Sequence, residues 1–267
     1  MTFYKKKPFD IDKGLSNCYN KCGFKPHFFI MKNLYKIANF NVLIEYKYNY
    51  TFKFLEKYIS FDNAIPDITI TITEKELMEE YDVSQIKILS VVESSCILRK
   101  LAKELIDNFN TILFHASSIR YNDNAYLFTA KSGTGKSTHT RLLKELLKDK
   151  ITYINDDKPF IRYENDEFYV YGNPWQGKHD LGENLSCKLK AIVKITRSDD
   201  NFVKKLDTIS ALNLLLEQAY SYNDETSVNN LLELINKMFN KIEFYELYCN
   251  MDISAAETSY NKILKGN

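Results

Sequence analysis

The chain has 267 residues, 45 % apolar and 27 % charged, with 36 basic against 35 acidic side chains and a formal net charge of +1. That balance fits a soluble globular protein of one large domain or two modest ones, and it gives no overall field to steer the chain to nucleic acid or anionic lipid. No apolar run approaches the roughly 20 residues of a membrane span, no secretory apolar stretch follows Met1, and the five scattered cysteines read as free thiols, so a cytoplasmic location is expected.

Lys5-Lys6-Lys7 reads as a solvated terminus. Cys18 and Cys22 lie four apart with only the distant His27 beside them, which falls short of a zinc set. Residues 1–110 read as a small mixed α/β unit. Ile37 to Tyr46 and Tyr50 to Leu55, rich in aromatic and aliphatic residues, are expected to form a hairpin. Asp67 to Ile72 alternates strictly and predicts a strand with one buried face and one Thr-lined face. Glu93 to Phe109 carries Ile97, Leu98, Leu101, Leu105 and Ile106 at helical spacing, with Ser94 or Ser95 as a candidate cap.

Residues 111–267 are expected to form a second unit, where strands and helices alternate. Thr111 to Ile119 reads as an apolar strand. Asn122-Asp123-Asn124 turns the chain into Ala125 to Thr129, and Thr138 to Leu147 continues as an amphipathic helix. Ile151 to Ile154 is a buried strand ending in Asn155-Asp156-Asp157. Phe160 to Tyr163 and Phe168 to Tyr171 form a hairpin around Asn165-Asp166, and Leu189 to Thr196 is a further strand. Helices are expected over Ile209 to Tyr220 and Ser227 to Phe239, then a strand over Ile242 to Tyr248 and a helix over Ile253 to Leu264.

Gly is scarce, with 8 copies, so Gly133 and Gly135 stand out. They lie in Ala130-Lys131-Ser132-Gly133-Thr134-Gly135-Lys136-Ser137-Thr138, which fits the Walker A pattern with Ala in the first position. The two glycines allow the positive φ that lets backbone N–H groups close around phosphate, and the following helix aims its N-terminus at the same anion. Lys136 supplies a mobile charge for the outer phosphates, and the Ser137 hydroxyl is placed to ligate Mg2+. Ser132, Thr134 and Thr138 complete the loop. ATP and Mg2+ are the expected ligands.

Asp156-Asp157 stands at the end of a buried strand, where a carboxylate partners a Walker A loop in holding magnesium. Two adjacent carboxylates suggest divided labour, one holding the metal and the other accepting a proton from an attacking hydroxyl. An Asp-Asp-Lys-Pro surface turn is the structural alternative. His115 lies one strand before the loop and is followed by the small residues Ala116-Ser117-Ser118. By itself it reads as a satisfied core histidine; its place makes it a catalytic candidate.

A His near a strand end, a Ser-Gly-Thr-Gly-Lys-Ser loop whose Lys136 follows His115 by 21 residues, and a strand-borne Asp pair together resemble the HPr serine kinase/phosphorylase catalytic domain. The likeness covers residues 110–200 and is greatest to the shorter bacterial HPr-kinase-like proteins, in which a small α/β segment precedes the kinase core. The loop also resembles that of ATP-dependent phosphoenolpyruvate carboxykinase, which shares the fold. The resemblance implies an α/β (α+β) P-loop kinase core, with Asp156 paired to His115 as general base and Asp157 supporting magnesium. It also implies a tendency to form homo-oligomers.

The glutamate- and arginine-containing signature of HPr kinases is not found after the Asp pair. In its place stands Gly172-Asn-Pro-Trp-Gln-Gly-Lys-His179, holding the only Trp, two Gly, a Lys and a His. Two readings stay open. Lys178, His179 and a stacking wall from Trp175 suit an acceptor or phosphate site; equally, a structural turn buries the Trp. The departure leaves HPr as substrate, and reverse phosphorylase activity, without support. His139 reads either as touching nucleotide or as facing solvent, Arg141 as a helix-surface residue within reach of phosphate, and Arg197 as a candidate transition-state cation.

The function that follows is a kinase moving the γ-phosphoryl group of ATP to a hydroxyl on a protein, a peptide or a small molecule. A carboxykinase is an alternative, although the chain is too short and lacks an upstream metal-binding Lys/His set. A nucleotide-dependent switch is another, although the Asn-Lys-x-Asp base-reading motif is absent. Nucleic acid and membrane are not expected partners, and residues 1–110 have no assigned role.

Overall fold

In strands β1 (Met31–Ile37) and β2 (Phe40–Tyr46), buried side chains recur along the chain, and the two-residue link between them puts Ala38 and Asn39 at φ 51° and 66°. Positive φ at both positions matches the right-handed twist of the strands it joins. The computed structural model describes residues 30–265; Lys5-Lys6-Lys7, Cys18, Cys22 and His27 lie outside them. The hairpin expected over Ile37 to Leu55 is therefore corrected. Its first arm begins at Met31, and its expected second arm is a helix, α1 (Asn49–Leu55). The buried positions Thr51, Leu55 and Tyr58 are spaced four and three apart, a helical period that aromatic richness had masked.

The described residues divide into two compact units, one holding Phe40–Leu101 with the chain up to Lys36, the other Ile37–Asn39 and the chain from Ala102 onward. In the first, β3 (Ile68–Thr71) runs parallel to β2 and completes a three-stranded sheet in the order β1-β2-β3. Helix α2 (Glu74–Val83) starts on a capping box: Thr73 accepts from the Glu76 N–H, and the Glu76 carboxylate accepts in return from the Thr73 N–H. Helix α3 (Leu89–Asn108) begins four residues before its expected start at Glu93. Ser95 thus lies in its interior, donating back to the Val91 carbonyl at 3.3 Å rather than capping.

The second unit is built on nine strands. These are β4 (Thr111–Leu113), β5 (Ser117–Tyr121), β6 (Asn124–Thr129), β7 (Thr152–Asn155), β8 (Phe160–Glu164), β9 (Glu167–Tyr171), β10 (Ser186–Arg197), β11 (Phe202–Lys205) and β12 (Glu243–Cys249). They run β4-β8-β9-β10-β6-β5-β7. The long β10 pairs with β6 along one edge. It shares its other edge between β9 at its start and β12 at its end, and β11 flanks β12. Both tight hairpins turn on Asx pairs with positive φ, Asn122-Asp123 and Asn165-Asp166, as expected from the sequence.

The expected strand Thr111 to Ile119 is two strands. β4 and β5 stand far apart in the sheet order yet are joined by Phe114–Ala116 alone, so the sheet must curl. Three successive N–H groups of this link reach three different carbonyls, of Pro159 (3.1 Å), Gln218 (2.9 Å) and Asp157 (3.1 Å). His115 is the middle of the three.

Period-two alternation on β6 sends Ala125 and Leu127 to one face and Tyr126 and Phe128 to the other. The first face packs against α5 (Thr208–Gln218) and α6 (Glu225–Met238) through Leu214, Leu215, Leu231 and Ile235. The second packs against α4 (Lys136–Leu147) and α7 (Ile253–Ser259) through Leu143 and Ala255. Helices thus cover both faces of the sheet. The ends of β6 and β7, with the antiparallel start of β5, meet at one end of it. No described helix is long and apolar enough to cross a membrane.

Candidate functional site

Strand β6 feeds directly into the glycine loop, and the loop into α4. Ala130 is buried and its backbone is not left-handed, so the Cβ at the usual glycine position is accommodated. Gly133 and Gly135 take φ of 78° and 131°, and a Cβ added at either would meet nothing within 4 Å. The loop closes on itself through Thr134 N–H to Lys131 C=O (3.1 Å), and α4 starts with His139 N–H to Gly135 C=O (2.9 Å). The helix N-terminus and the open loop face the same space, an arrangement that favours an anion.

Lys136 points inward and is buried. Its ammonium lies 3.1 Å from His115 Nε2 and 3.5 Å from the Ala130 carbonyl. An ammonium only donates, so Nε2 accepts and the imidazole proton sits on Nδ1. There it faces Gln218 Oε1 at 3.2 Å, an acceptor, and the two contacts select the same tautomer. Gln218 Oε1 is also 3.0 Å from Thr129 Oγ1, which ties the last residue of α5 to the last residue of β6. Burial pushes the His115 pKa down, and the Lys136 charge pushes it further; Lys136 is itself lowered, first by burial. The imidazole is therefore neutral at neutral pH.

The two carboxylates have different surroundings. Asp156 is 5 % exposed and accepts from Ser117 Oγ at 2.6 Å, and the Ser137 hydroxyl lies on its side and favours its charged form. Ser117 Oγ lies in turn 3.0 Å from Thr140 Oγ1 on α4. Burial raises the Asp156 pKa, and the two serine donors oppose the shift. Asp157 is half-buried, with the Lys158 Nζ cation at 2.5 Å and the neutral His115 ring's Nε2 at 3.7 Å. With His115 neutral, the second is a polar approach rather than an ion pair. The expected pairing of Asp156 with His115 is thus corrected: Asp157 faces His115, and Asp156 faces the P-loop Ser137. The physical reason is the β7 strand end. Asn155 Oδ1 accepts from the N–H groups of both Asp157 (2.8 Å) and Lys158 (2.7 Å), and this turn sends the two successive carboxylates to different sides.

The 172–182 loop packs against the same strand end. Asn155 Nδ2 donates to the Asn173 carbonyl (3.2 Å) and the Trp175 carbonyl (3.3 Å). Gly177 has φ 76°, and a Cβ there would lie 3.2 Å from Asp157 Cβ. Trp175 is 3 % exposed, so the stacking wall is corrected and the buried-turn alternative holds. Lys178 and His179 are exposed.

His139 is likewise corrected. It is 2 % exposed, lies against Phe128 with ring centroids 5.0 Å apart, and places Nε2 2.9 Å from Ser259 Oγ. Its ring faces the core rather than solvent. Arg141 is exposed and folds back on its own helix, onto the Ser137 carbonyl at 3.1 Å. Arg197 bonds the loop backbone, with Nε to the Thr134 carbonyl (3.0 Å) and Nη2 to the Gly133 carbonyl (2.6 Å).

Four contributors went unassigned in the sequence: Ser117, Asn155, Lys158 and Gln218. Ser117 and Asn155 adjoin recognised residues and were legible as neighbours of His115 and Asp156. Gln218 is 103 positions from His115 and carries no local signal.

Several features suit a magnesium nucleotide. The loop is open at both glycines, the Lys136 ammonium has, among the described residues, one imidazole nitrogen and one distant carbonyl as acceptors for its three protons, and Asp156 and Ser137 offer oxygens on one side. Among the described residues no group of three or more His, Cys, Asp and Glu could hold a metal. One carboxylate and one hydroxyl completed by phosphate oxygens and water is the way magnesium binds nucleotides.

No family model matches the chain, and no curated protein matches it. Among solved structures it is similar to the Hpr(Ser) kinase/phosphatase from Coxiella burnetii, at 10 % identity and a TM-score of 0.34, over 57 % of this chain and 97 % of that one. So distant a likeness carries no weight in assigning a function, which falls to the geometry above.

Proposed function

We propose that the chain is an ATP- and magnesium-dependent phosphotransferase that moves the γ-phosphoryl group to a hydroxyl acceptor. The observation that carries this reading is the contact of the P-loop Lys136 with His115, 3.1 Å away, and of His115 with Asp157 at 3.7 Å. It sets a phosphate-binding cation beside a carboxylate free of the metal-side serines. Asp157 acts as general base: it takes the proton of the acceptor hydroxyl as that oxygen bonds to the γ-phosphorus, while the bond to the bridging oxygen breaks and ADP leaves. Lys158 positions the Asp157 carboxylate, and His115, held in the Nδ1–H tautomer by Gln218, steadies the Lys136 ammonium through Nε2. Lys136 and the N–H groups of residues 133–136 would hold the phosphates, and Asp156 with Ser137 would hold the metal. Magnesium bound there would neutralise charge on the phosphate oxygens. Lys178 and His179, on the exposed end of the loop that packs against Asp157, form the acceptor side.

The test is transfer from labelled ATP to lysate proteins and metabolites by wild type and Asp157→Asn. A general base contributes about 10²- to 10⁴-fold, so Asp157→Asn should lose about a thousandfold in transfer and keep its ATP affinity. Steady hydrolysis without an acceptor, equal in the two proteins, would overturn the assignment.

A further inference from the structure

The glycine loop is not held in shape by packing. At Gly133 and Gly135 nothing approaches within 4 Å of where a Cβ would stand, and Lys131, Ser132 and Gly133 are exposed. Its form must therefore come from hydrogen bonds. Inside the loop the described bonds are Thr134 N–H to Lys131 C=O and the helix-starting His139 N–H to Gly135 C=O. A loop that turns successive N–H groups inward on an anion turns its carbonyls outward. Two of those outward carbonyls, of Gly133 and Thr134, are taken by one guanidinium.

That guanidinium belongs to Arg197, the last residue of β10. Its backbone is fixed by the sheet: Arg197 pairs with Cys249 of β12, and the next residue donates from Ser198 N–H to the Cys249 carbonyl at 3.1 Å. Three residues earlier Lys194 pairs with Thr129, the residue that leads into the loop. The planar fork of arginine matches two neighbouring carbonyls as lysine, a point donor, does not.

We infer that Arg197 is a positioning residue that clamps the Gly133-Thr134 carbonyls to the sheet and so presets the loop for phosphate, rather than a cation that acts on the transferring phosphoryl group. This rests on the nucleotide-binding reading above. It differs from the transition-state role in what should change. A clamp acts before nucleotide arrives and affects affinity; a transition-state cation acts during transfer and affects turnover.

The experiment compares wild type, Arg197→Ala and Arg197→Lys in three measurements. These are binding of MgATP and of inorganic triphosphate, steady-state transfer, and amide hydrogen exchange of residues 131–136 in the nucleotide-free protein. The clamp predicts faster exchange in Arg197→Ala before any ligand is added. It also predicts about tenfold weaker binding of both ligands, from loss of hydrogen bonds with a charged donor, and a KM that rises much more than kcat falls. Arg197→Lys should recover part of the affinity only. Unchanged exchange in the free protein overturns the clamp, as does wild-type affinity with kcat down a hundredfold, which is the transition-state signature. Failure of wild type itself to bind either ligand would overturn the nucleotide-binding reading instead.

Discussion

Two glycine-bearing loops meet at the same end of the second unit's sheet, and their glycines serve opposite ends. In the 130–135 loop, Gly133 stands at φ 78° with nothing within 4 Å of an added Cβ. In the 172–182 loop, Gly177 stands at nearly the same φ, 76°, but a Cβ there meets Asp157 Cβ at 3.2 Å. Gly182 is closed in likewise, since a Cβ there would lie 2.7 Å from the Ile154 carbonyl oxygen, and a Cβ at Gly172 would run into the Glu183 carbonyl. One loop uses glycine to make a turn and leave room. The other uses it to press its backbone onto β7. An open loop is fit to receive a ligand; a closed one is fit to hold Asp157 still.

The largest effect expected from this contrast separates binding from transfer. Lys136→Ala removes the cation of the open loop, and nucleotide affinity should fall about a hundredfold, in line with loss of charge-assisted hydrogen bonds to phosphate. Asp157→Asn, beside the closed loop, should bind ATP as wild type does. Titration of both variants with a fluorescent ATP analogue checks the pair. If Lys136→Ala bound normally, the open loop would lose its role as phosphate cradle.

The contrast was legible in the sequence on one side only. A Walker A loop is read from local residues because its physics is local: glycines for φ, a helix start for the dipole, a lysine and a serine at fixed spacing. The closed loop offered composition alone, one Trp and two glycines, and its meaning depends on Ile154, Asn155 and Glu183, which tertiary structure brings to it. The same limit explains why the expected pairing of Asp156 with His115 falls to Asp157 instead. Adjacent carboxylates are equivalent as text, and only the Asn155 turn decides which one faces Ser137 and which faces His115. Strand and helix assignments held where periodicity was strong, as in the helices that become α5 and α6. They failed over Tyr50 to Leu55, where aromatic content outweighed period, and over Phe114–Ala116, where the chain changes neighbours without a glycine or proline to announce it.

The open loop is supported from behind, and acid should reveal it. His139, three residues into α4, is buried between Phe128 and Ser259, and burial drives its pKa down from 6.5 to about 4. Between those values the unfolded chain binds a proton that the folded one does not. Stability is thus intact above pH 6.5 and is lost as the pH falls towards 4. At pH 5 the loss from this residue is about 2 kcal/mol. Urea denaturation at pH 7.5 and pH 5 should show it in wild type, and His139→Gln should shrink the difference. An undiminished acid loss in that variant would assign it to other groups.

The smallest effects give the sharpest comparison, because Gly133 and Gly177 share one backbone conformation. Alanine at either position meets the same left-handed strain, about 1–2 kcal/mol. Whatever differs between the two variants therefore comes from what the new methyl touches. At Gly133 it touches nothing, so the strain should be spent on the loop's phosphate-binding form, and Gly133→Ala should lose about tenfold in nucleotide affinity with turnover at saturation nearly kept. At Gly177 it presses on Asp157, and if Asp157 is the base proposed above, its displacement by a fraction of an ångström is felt in the chemical step. Gly177→Ala should keep nucleotide affinity and lose about tenfold in turnover. The readout is the direction of the split between KM and kcat, which should be opposite in the two proteins. A shared direction would mean that both glycines serve one rigid platform, and the distinction between a receiving loop and a holding loop would fall.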